Sequence, residues 1–118
     1  MLFQLPLKSP FKFSWLDSER AMLEIPRVSP FFTGHFPGRP ILPGMMVIEA
    51  SSEFILSNPD FVRASLKLKR VGNAKFSSPV LPGMKVRLEG KRVGESWNVR
   101  WFDAATDTEI VVLSVAFG

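Results

Sequence analysis

Apolar and polar side chains alternate twice near the start of the chain, once on each side of a turn signal at Asp17-Ser18. The apolar positions are Phe11, Phe13 and Trp15 before the turn and Ala21, Leu23 and Ile25 after it. A period of two places alternate side chains on one face of a β-strand. The pattern therefore predicts a hairpin over residues 11–28, with Pro26 and Pro30 close to its end.

A second pattern, with helical spacing, covers the segment from Gly44 to Leu56, which reads GMMVIEASSEFIL. The residues at helical spacing are Met45, Ile48, Ser52, Ile55 and Leu56. No proline or further glycine follows Gly44 in this segment, and Asn58-Pro59 ends it. Because the predicted helix is apolar on nearly every side, we expect a sheet to wrap around it.

The second half of the chain has the alternating pattern of antiparallel strands. Strand-like segments cover residues 61–68, 71–76, 85–93, 97–103 and 109–117. Turn signals lie at Gly72-Asn73, Pro82-Gly83, Gly94-Glu95 and residues 105–107. One apolar helix between a hairpin and a run of antiparallel strands predicts an α+β fold. The length of 118 residues predicts a single domain over residues 1–118.

The composition argues against several classes of function. The chain has no cysteine and a single histidine, so disulfides, thiolate chemistry and a zinc site are not expected. No apolar run approaches the ~20 residues that span a bilayer. The N-terminus has no signal-peptide pattern, so we expect a cytoplasmic protein. The net charge of +4 is dispersed, which disfavours nucleic-acid binding and gives a mild preference for acidic partners.

The candidate chemistry lies in and just after residues 30–43, where four prolines and two glycines exclude a helix and predict a stiff loop. His35, in this loop, is the side chain best suited to take a proton near neutral pH. Gly44, at the predicted helix start, offers an unpaired N–H to a ligand oxygen. Glu49 has apolar neighbours on the helix, and a carboxylate in apolar surroundings can act as an acid. These groups suffice to remove a proton beside a carbonyl and to expel a leaving group.

Structural interpretations of the same residues stay open at this point. A lone histidine is more often a structural residue than a catalyst. A glutamate on an apolar helix can reach solvent or pair with one of the fifteen cations of the chain. A Pro-Gly pair before a helix is also common.

The spacing of these residues resembles the signature of the β-hydroxyacyl-acyl carrier protein dehydratases. The matching residues in HFPGRPILPGMMVIEA are His35, Phe36, Pro37, Pro40, Pro43, Gly44 and Glu49. The glutamate stands fourteen positions after the histidine. Phe31-Phe32 before the loop and a second segment, KFSSPVLPG at residues 75–83, are also similar to the family. The resemblance covers residues 10–117.

The resemblance implies a hot-dog fold, in which an antiparallel sheet wraps around one long helix. It implies a homodimer whose sheets join edge to edge, with His35 of one subunit and Glu49 of the other in each active site. In that site His35 would remove the proton beside the thioester carbonyl, and Glu49 would protonate the departing hydroxyl. The N–H of Gly44 would stabilise the enolate oxygen.

The same resemblance implies a substrate and a carrier. The substrate would be a 3-hydroxyacyl thioester on acyl carrier protein, converted to the trans-2-enoyl thioester in fatty acid or related synthesis, without cofactor or metal. The residues expected to bind it are Phe31, Phe32, Phe36, Pro43, Met45 and Glu53. Because the carrier is acidic, we expect Arg39 or the basic residues 67–70 to contact it.

Three departures from the family pattern leave alternatives open. The chain lacks the family's N-terminal segment of Leu-Pro-His-Arg-Tyr-Pro type, and Ser77-Ser78 replaces a more basic pair. Glu53 stands where the family tends to have glutamine, one helical turn after Glu49. It either shares a site with Glu49, where two like charges disfavour double ionisation, or turns towards solvent or an arginine. The rival functions are a hot-dog acyl thioesterase and a non-catalytic acyl-carrier-binding protein.

Overall fold

The computed structural model describes residues 11–27, 41–58 and 67–118. Within these residues the chain forms one helix and six strands. The elements are β1 (Phe13–Trp15), β2 (Arg20–Glu24), α1 (Gly44–Leu56), β3 (Leu68–Phe76), β4 (Lys85–Val93), β5 (Ser96–Asp103) and β6 (Thr108–Phe117). The α+β arrangement predicted from the pattern of residues is confirmed.

The six strands form a single antiparallel sheet in the order β1-β2-β4-β5-β6-β3. The predicted N-terminal hairpin is confirmed, because Phe13 pairs with Leu23 and Trp15 pairs with Ala21. Strand β3 is the last strand at one side of the sheet, next to β6. Its outer edge therefore has no partner strand among the described residues.

The prediction of a turn at Gly72-Asn73 is wrong. Strand β3 runs through both residues, and its pairing with β6 shifts register between Gly72 and Lys75. Asn73 has a positive φ of 52°, a conformation that asparagine tolerates in a bulge as well as in a turn. The separate strand predicted over residues 61–68 lies mostly outside the described residues, and its last residue, Leu68, is the first residue of β3.

The other three predicted turns are confirmed. Turns occur at Pro82-Gly83, at Gly94-Glu95 and over residues 104–107. Gly83 and Gly94 have φ values of 78° and 64°, which an L side chain would strain.

One face of the sheet and one face of α1 form the core. The largest fully buried side chains include Trp101, Leu88 and Leu113 from the strands and Phe54 and Ile55 from the helix. Burying an aliphatic or phenylalanine side chain of this size stabilises a fold by about 1.5–3 kcal/mol. The core therefore depends on contacts between α1 and the centre of the sheet.

Gly90 on β4 allows the helix to approach the sheet closely. A Cβ atom at Gly90 would lie 2.9 Å from Cδ1 of Ile55 and 2.9 Å from Cε2 of Phe54. Trp15 stacks on the Phe54 ring with a centroid distance of 5.0 Å. The C-terminal half of α1 is thus held between strands β1 and β4.

Among the residues that the structure describes, the sheet covers only one side of α1. The buried residues of the helix are Val47, Ala50, Ser51, Ser52, Phe54 and Ile55. By contrast, Gly44 and Glu49 are exposed, and Met45 is 77% exposed. Within the described residues, the 13-residue α1 is too short to cross a membrane.

Candidate active site

The start of α1 leaves a backbone donor available. Pro43, the N-cap residue, has extended backbone angles (φ −60°, ψ 146°), and no side chain in the described part of the chain caps the helix. Its carbonyl accepts hydrogen bonds from the N–H groups of Met46 and Val47, at 2.9 and 3.1 Å. Gly44 is the first helical residue, so its N–H has no acceptor within the helix and lies at the positive end of the helix dipole. The sequence analysis places Gly44 at this position, and its role in catalysis stays a prediction.

The segment after β3 lies against this helix start. The N–H of Leu42 donates to the carbonyl of Val80 at 2.8 Å, which joins the residues before α1 to residues 76–80. A Cβ atom at Gly44 would lie 3.6 Å from Cζ of Phe76, an ordinary contact distance. The two family-like sequence segments, residues 35–50 and 75–83, are separated by 24 residues in the chain, and their described parts are therefore neighbours in the structure.

An open groove runs between these two segments. Its volume is about 440 Å³, and it is lined by residues 41–44, Val47 and residues 76–80. Most of these side chains are apolar, apart from Ser77 and Ser78. The Gly44 N–H is thus a polar group beside a mostly apolar groove, an arrangement suited to a thioester carbonyl with an apolar chain.

Glu49 lies on the open side of α1. Buried Ser51 lies about 200° from Glu49 around the helix axis, so Glu49 faces away from the sheet. The residue is exposed, and the described residues do not provide the apolar surroundings expected for its carboxylate. Glu49 lies five residues after Gly44, which corresponds to about 7.5 Å along the helix axis.

The other predicted site residues fall into two groups. Pro43 and Glu53 are half-buried, and Met45 is exposed on the open side of α1. Glu53 stands one turn beyond Glu49. The remaining predicted residues, His35, Phe31, Phe32, Phe36 and Arg39, lie outside the described residues. All of these assignments stay predictions.

Phe76 is a residue of this groove that the sequence pattern does not identify as part of the site. Its side chain is 46% exposed, lines the groove and lies beside Gly44. The signal that pointed to it was the second family-like segment at residues 75–83, from which no site residue was chosen. Only the tertiary contact between the segments identifies Phe76 as a groove residue.

The outer strand of the sheet is basic. Four cations lie between residues 67 and 76, and this stretch contains no acidic residue. They are Lys67, Lys69, Arg70 and Lys75, and all four are exposed. On the neighbouring strand, the hydrogen bond from Arg100 lowers the pKa of Glu109, with a smaller contribution from the charge of Lys75. The described residues contain no group of three or more potential metal ligands.

Comparison with known proteins identifies the family. The family model of the ApeI dehydratases, termed ApeI-like, matches residues 16–114. The chain belongs to the ApeI-like dehydratase family.

Curated relatives of this ApeI-like chain include 3-hydroxyacyl-[acyl-carrier-protein] dehydratases named FabZ. The chain is 33% identical to FabZ of Rhizobium rhizogenes over 91% of its own length and 76% of the relative. It is 39% identical to FabZ of Herpetosiphon aurantiacus, over 51% of its own length and 45% of the relative. For FabZ of Symbiobacterium thermophilum the identity is 36%, over 66% and 60%. The chain thus spans roughly half the length of several curated relatives that it matches.

Solved structures confirm the hot-dog fold of the chain. The dehydratase heterocomplex ApeI:P from Xenorhabdus doucetiae includes a chain that superposes with a TM-score of 0.70 at 17% identity, covering 94% of this chain and 98% of that one. The protein smu.793 from Streptococcus mutans, bound to acetyl CoA, superposes with a TM-score of 0.68 at 7% identity, covering 98% and 93%. At these identities the likeness concerns the fold alone.

Proposed function

We propose that the protein dehydrates a 3-hydroxyacyl thioester on acyl carrier protein to the trans-2-enoyl thioester. The proposal depends above all on the start of α1, where the Gly44 N–H lies beside the groove and Glu49 follows on the open side. Membership of the ApeI-like family supports the same reaction. The product would serve fatty acid synthesis or a related acyl-chain pathway such as aryl polyene synthesis.

The proposed reaction divides among three groups. His35 accepts the proton from C2, and the electrons of that C–H bond form the C2=C3 double bond as the C3–O bond breaks. The Gly44 N–H and the positive end of the α1 dipole stabilise negative charge that develops on the thioester oxygen. Glu49 gives its proton to the hydroxyl, which leaves as water. His35 and Glu49 then exchange protons with solvent for the next cycle.

The second subunit of the proposed active site is another copy of the chain. Strand β3 presents an outer edge that lacks a partner strand among the described residues, and unpaired edges can pair with another chain. A dimer would also cover exposed Met45 and Glu49, and it would supply apolar surroundings that the described residues do not give Glu49. Each site would then combine His35 of one subunit with Glu49 of the other.

A subunit-mixing experiment tests this shared site. Mixed dimers of His35→Ala and Glu49→Gln contain one site with both residues intact and one site with neither. Random mixing should therefore restore about a quarter of wild-type activity, because half of the dimers are mixed and half of their sites are whole. Mixing without recovery, after subunit exchange has been shown by mass spectrometry, would place His35 and Glu49 of the same chain in one site.

The cations along and just before β3, which are Lys67, Lys69, Arg70 and Lys75, favour a second candidate partner. That partner is a related subunit with an acidic edge strand. Two copies of β3 side by side would bring eight cations together, and like charges on adjacent strands destabilise pairing by ~0.2–1 kcal/mol per pair. Native mass spectrometry over a salt series separates the candidates. A homodimer should dissociate less as salt rises, since salt screens this repulsion. A chain that stays monomeric at every salt concentration would favour the unlike subunit.

The acyl carrier is the proposed donor of the substrate. The carrier is acidic, and exposed Lys67, Lys69 and Arg70 form a basic surface suited to it. Reversing these charges should raise the KM for the carrier-bound substrate more than the KM for a short thioester analogue without the carrier.

Mass spectrometry of the carrier-bound product tests the reaction itself. Incubation with 3-hydroxyacyl-acyl carrier proteins of several chain lengths should yield acyl chains that have lost one water. Release of free acid would instead identify a thioesterase, and unchanged substrate would identify a non-catalytic binding protein. His35→Ala is the matched control, in which water loss should disappear.

A further inference from the structure

A buried hydrogen bond connects the centre of the sheet to α1. Trp101 on β5 and Ser51 on α1 are both 0% exposed. The indole N–H of Trp101 donates to Oγ of Ser51 at 2.9 Å, and the Ser51 hydroxyl donates to the carbonyl of Val47 at 2.8 Å. Because an indole nitrogen is only a donor and the serine hydrogen points to Val47, the direction of both bonds is determined.

Apart from the stacking of Trp15 on Phe54, the packing around this bond has little directional character. The other buried contacts of α1 with the sheet include Val47, Ala50, Phe54 and Ile55, all apolar. Hydrophobic contact depends on the area removed from water and not on direction. The Trp101–Ser51 hydrogen bond does depend on direction, because it breaks when donor and acceptor lose alignment. It therefore restrains rotation of α1 about its own axis.

Glu49 lies on the opposite side of the helix from this bond. It precedes Ser51 by two residues, a difference of about 200° around the helix axis. A side chain about 6 Å from the axis moves about 1 Å when the helix rotates by ~10°. A displacement of that size can cost an enzyme up to ~100-fold in rate.

We propose that Trp101 and Ser51 are positioning residues, whose hydrogen bond sets the rotation of α1 and thereby aims Glu49 at the substrate hydroxyl. This inference rests on the proposed dehydratase function. It differs from a purely structural role, in which the bond would stabilise the core without affecting the reaction of the folded protein. The two roles separate in the steady-state constants, because misaligning the acid lowers kcat while the groove at residues 41–44 and 76–80 still binds substrate.

The test compares Trp101→Phe with a neighbouring core variant. Trp101→Phe removes the N–H but keeps an aromatic ring, and Ser51 keeps its bond to Val47. Val111 pairs with Trp101 across β5 and β6 and is also 0% exposed, so Val111→Ala is the control for lost core volume. We expect kcat to fall about tenfold in Trp101→Phe with KM within about twofold of wild type, and kcat to change less than about twofold in Val111→Ala.

A second variant and an independent spectroscopic signal distinguish a loss of positioning from misfolding. Ser51→Ala should show the same loss of kcat, and it should shift the indole N–H resonance of Trp101 and speed its hydrogen exchange. If Trp101→Phe does not fold, Ser51→Ala decides by the same comparison. If Trp101→Phe or Ser51→Ala has the same kcat as Val111→Ala, the inference is overturned. The proposed dehydratase function would not be affected by that result. A wild-type protein without dehydratase turnover would overturn the proposed function and this inference with it.

Discussion

The two sides of α1 differ in what they contribute to the protein. The side that faces the sheet is buried, and its polar group on Ser51 is paired with Trp101 and Val47. The opposite side carries exposed Met45 and Glu49, and exposed Gly44 stands at the start of the helix. Within the described residues no buried side-chain nitrogen or oxygen lacks a hydrogen-bond partner. The side of α1 that faces the sheet thus contributes to the core of the fold. The opposite side carries residues that are predicted to take part in catalysis.

The comparison has an energetic consequence. Substitutions on the buried side should change the free energy of unfolding, because they leave cavities or unpaired polar groups. Substitutions on the open side should change turnover while the folded chain persists.

Glu49→Gln should reduce turnover by about 100- to 10,000-fold, the range in which a general acid contributes. The free energy of unfolding should change by less than about 0.5 kcal/mol, because the residue is exposed. Turnover of a 3-hydroxyacyl carrier substrate and denaturant unfolding measure the two quantities. Glu95→Gln, at the exposed Gly94-Glu95 turn, is the control for lost charge. Near wild-type turnover in Glu49→Gln would remove this carboxylate from the mechanism.

Phe54→Ala should lower the free energy of unfolding by about 3–5 kcal/mol, since the side chain is fully buried beneath Trp15 and against Gly90. Met45→Ala is the matched substitution on the open side. Its side chain is 77% exposed, so the free energy of unfolding at low protein concentration should change by less than about 0.5 kcal/mol. Urea unfolding measures both variants. Similar losses for the two would mean that the sides of α1 do not differ in the way the structure indicates.

Gly44→Ala should separate stability from function at the helix start. A methyl group has room there, because its nearest contact is Cζ of Phe76 at 3.6 Å. The variant should be as stable as wild type or more stable by about 0.4–1 kcal/mol, because alanine restricts the unfolded chain. Turnover should fall about tenfold if the thioester oxygen must approach the Gly44 N–H. An unchanged rate in the folded variant would remove this N–H from the site.

The smallest effect concerns the ion pair between Arg100 and Glu109, whose side chains are 50% and 34% exposed. The hydrogen bond from Arg100, at 2.7 Å, lowers the pKa of Glu109 below its usual value of 4.5. A carboxyl with a lowered pKa stabilises the folded state above its unfolded pKa and loses that contribution as pH falls through the folded pKa.

Glu109→Gln should therefore be less stable than wild type by a few tenths of a kcal/mol at pH 7, since solvent screens an exposed pair. The difference should shrink as pH falls below the usual value of 4.5. Urea unfolding at several pH values measures it, with Glu95→Gln as the control for removal of a charge. A difference that does not change with pH would show that the ion pair is not its source.

Much of the local structure could be predicted from the chain. The bounds of α1 and β4 agree with the sequence pattern, and so does the β1–β2 hairpin. These features follow from the periods of apolar residues and from the positions of proline and glycine, which act within a few residues. The spacing of Gly44 and Glu49 on one helix could likewise be predicted from the sequence.

Tertiary contacts decided the remaining features. A helix that is apolar on nearly every side carries no sequence signal for which side the sheet will cover, and packing placed Val47, Ser51 and Phe54 inward. Gly72-Asn73 suits a turn or a bulge, and pairing of β3 with β6 selected the bulge. Phe76 became part of the groove only because residues 76–80 lie against the start of α1. Local residues thus determined the elements and the spacing of their chemical groups, whereas contacts between distant segments determined which side of each element is exposed.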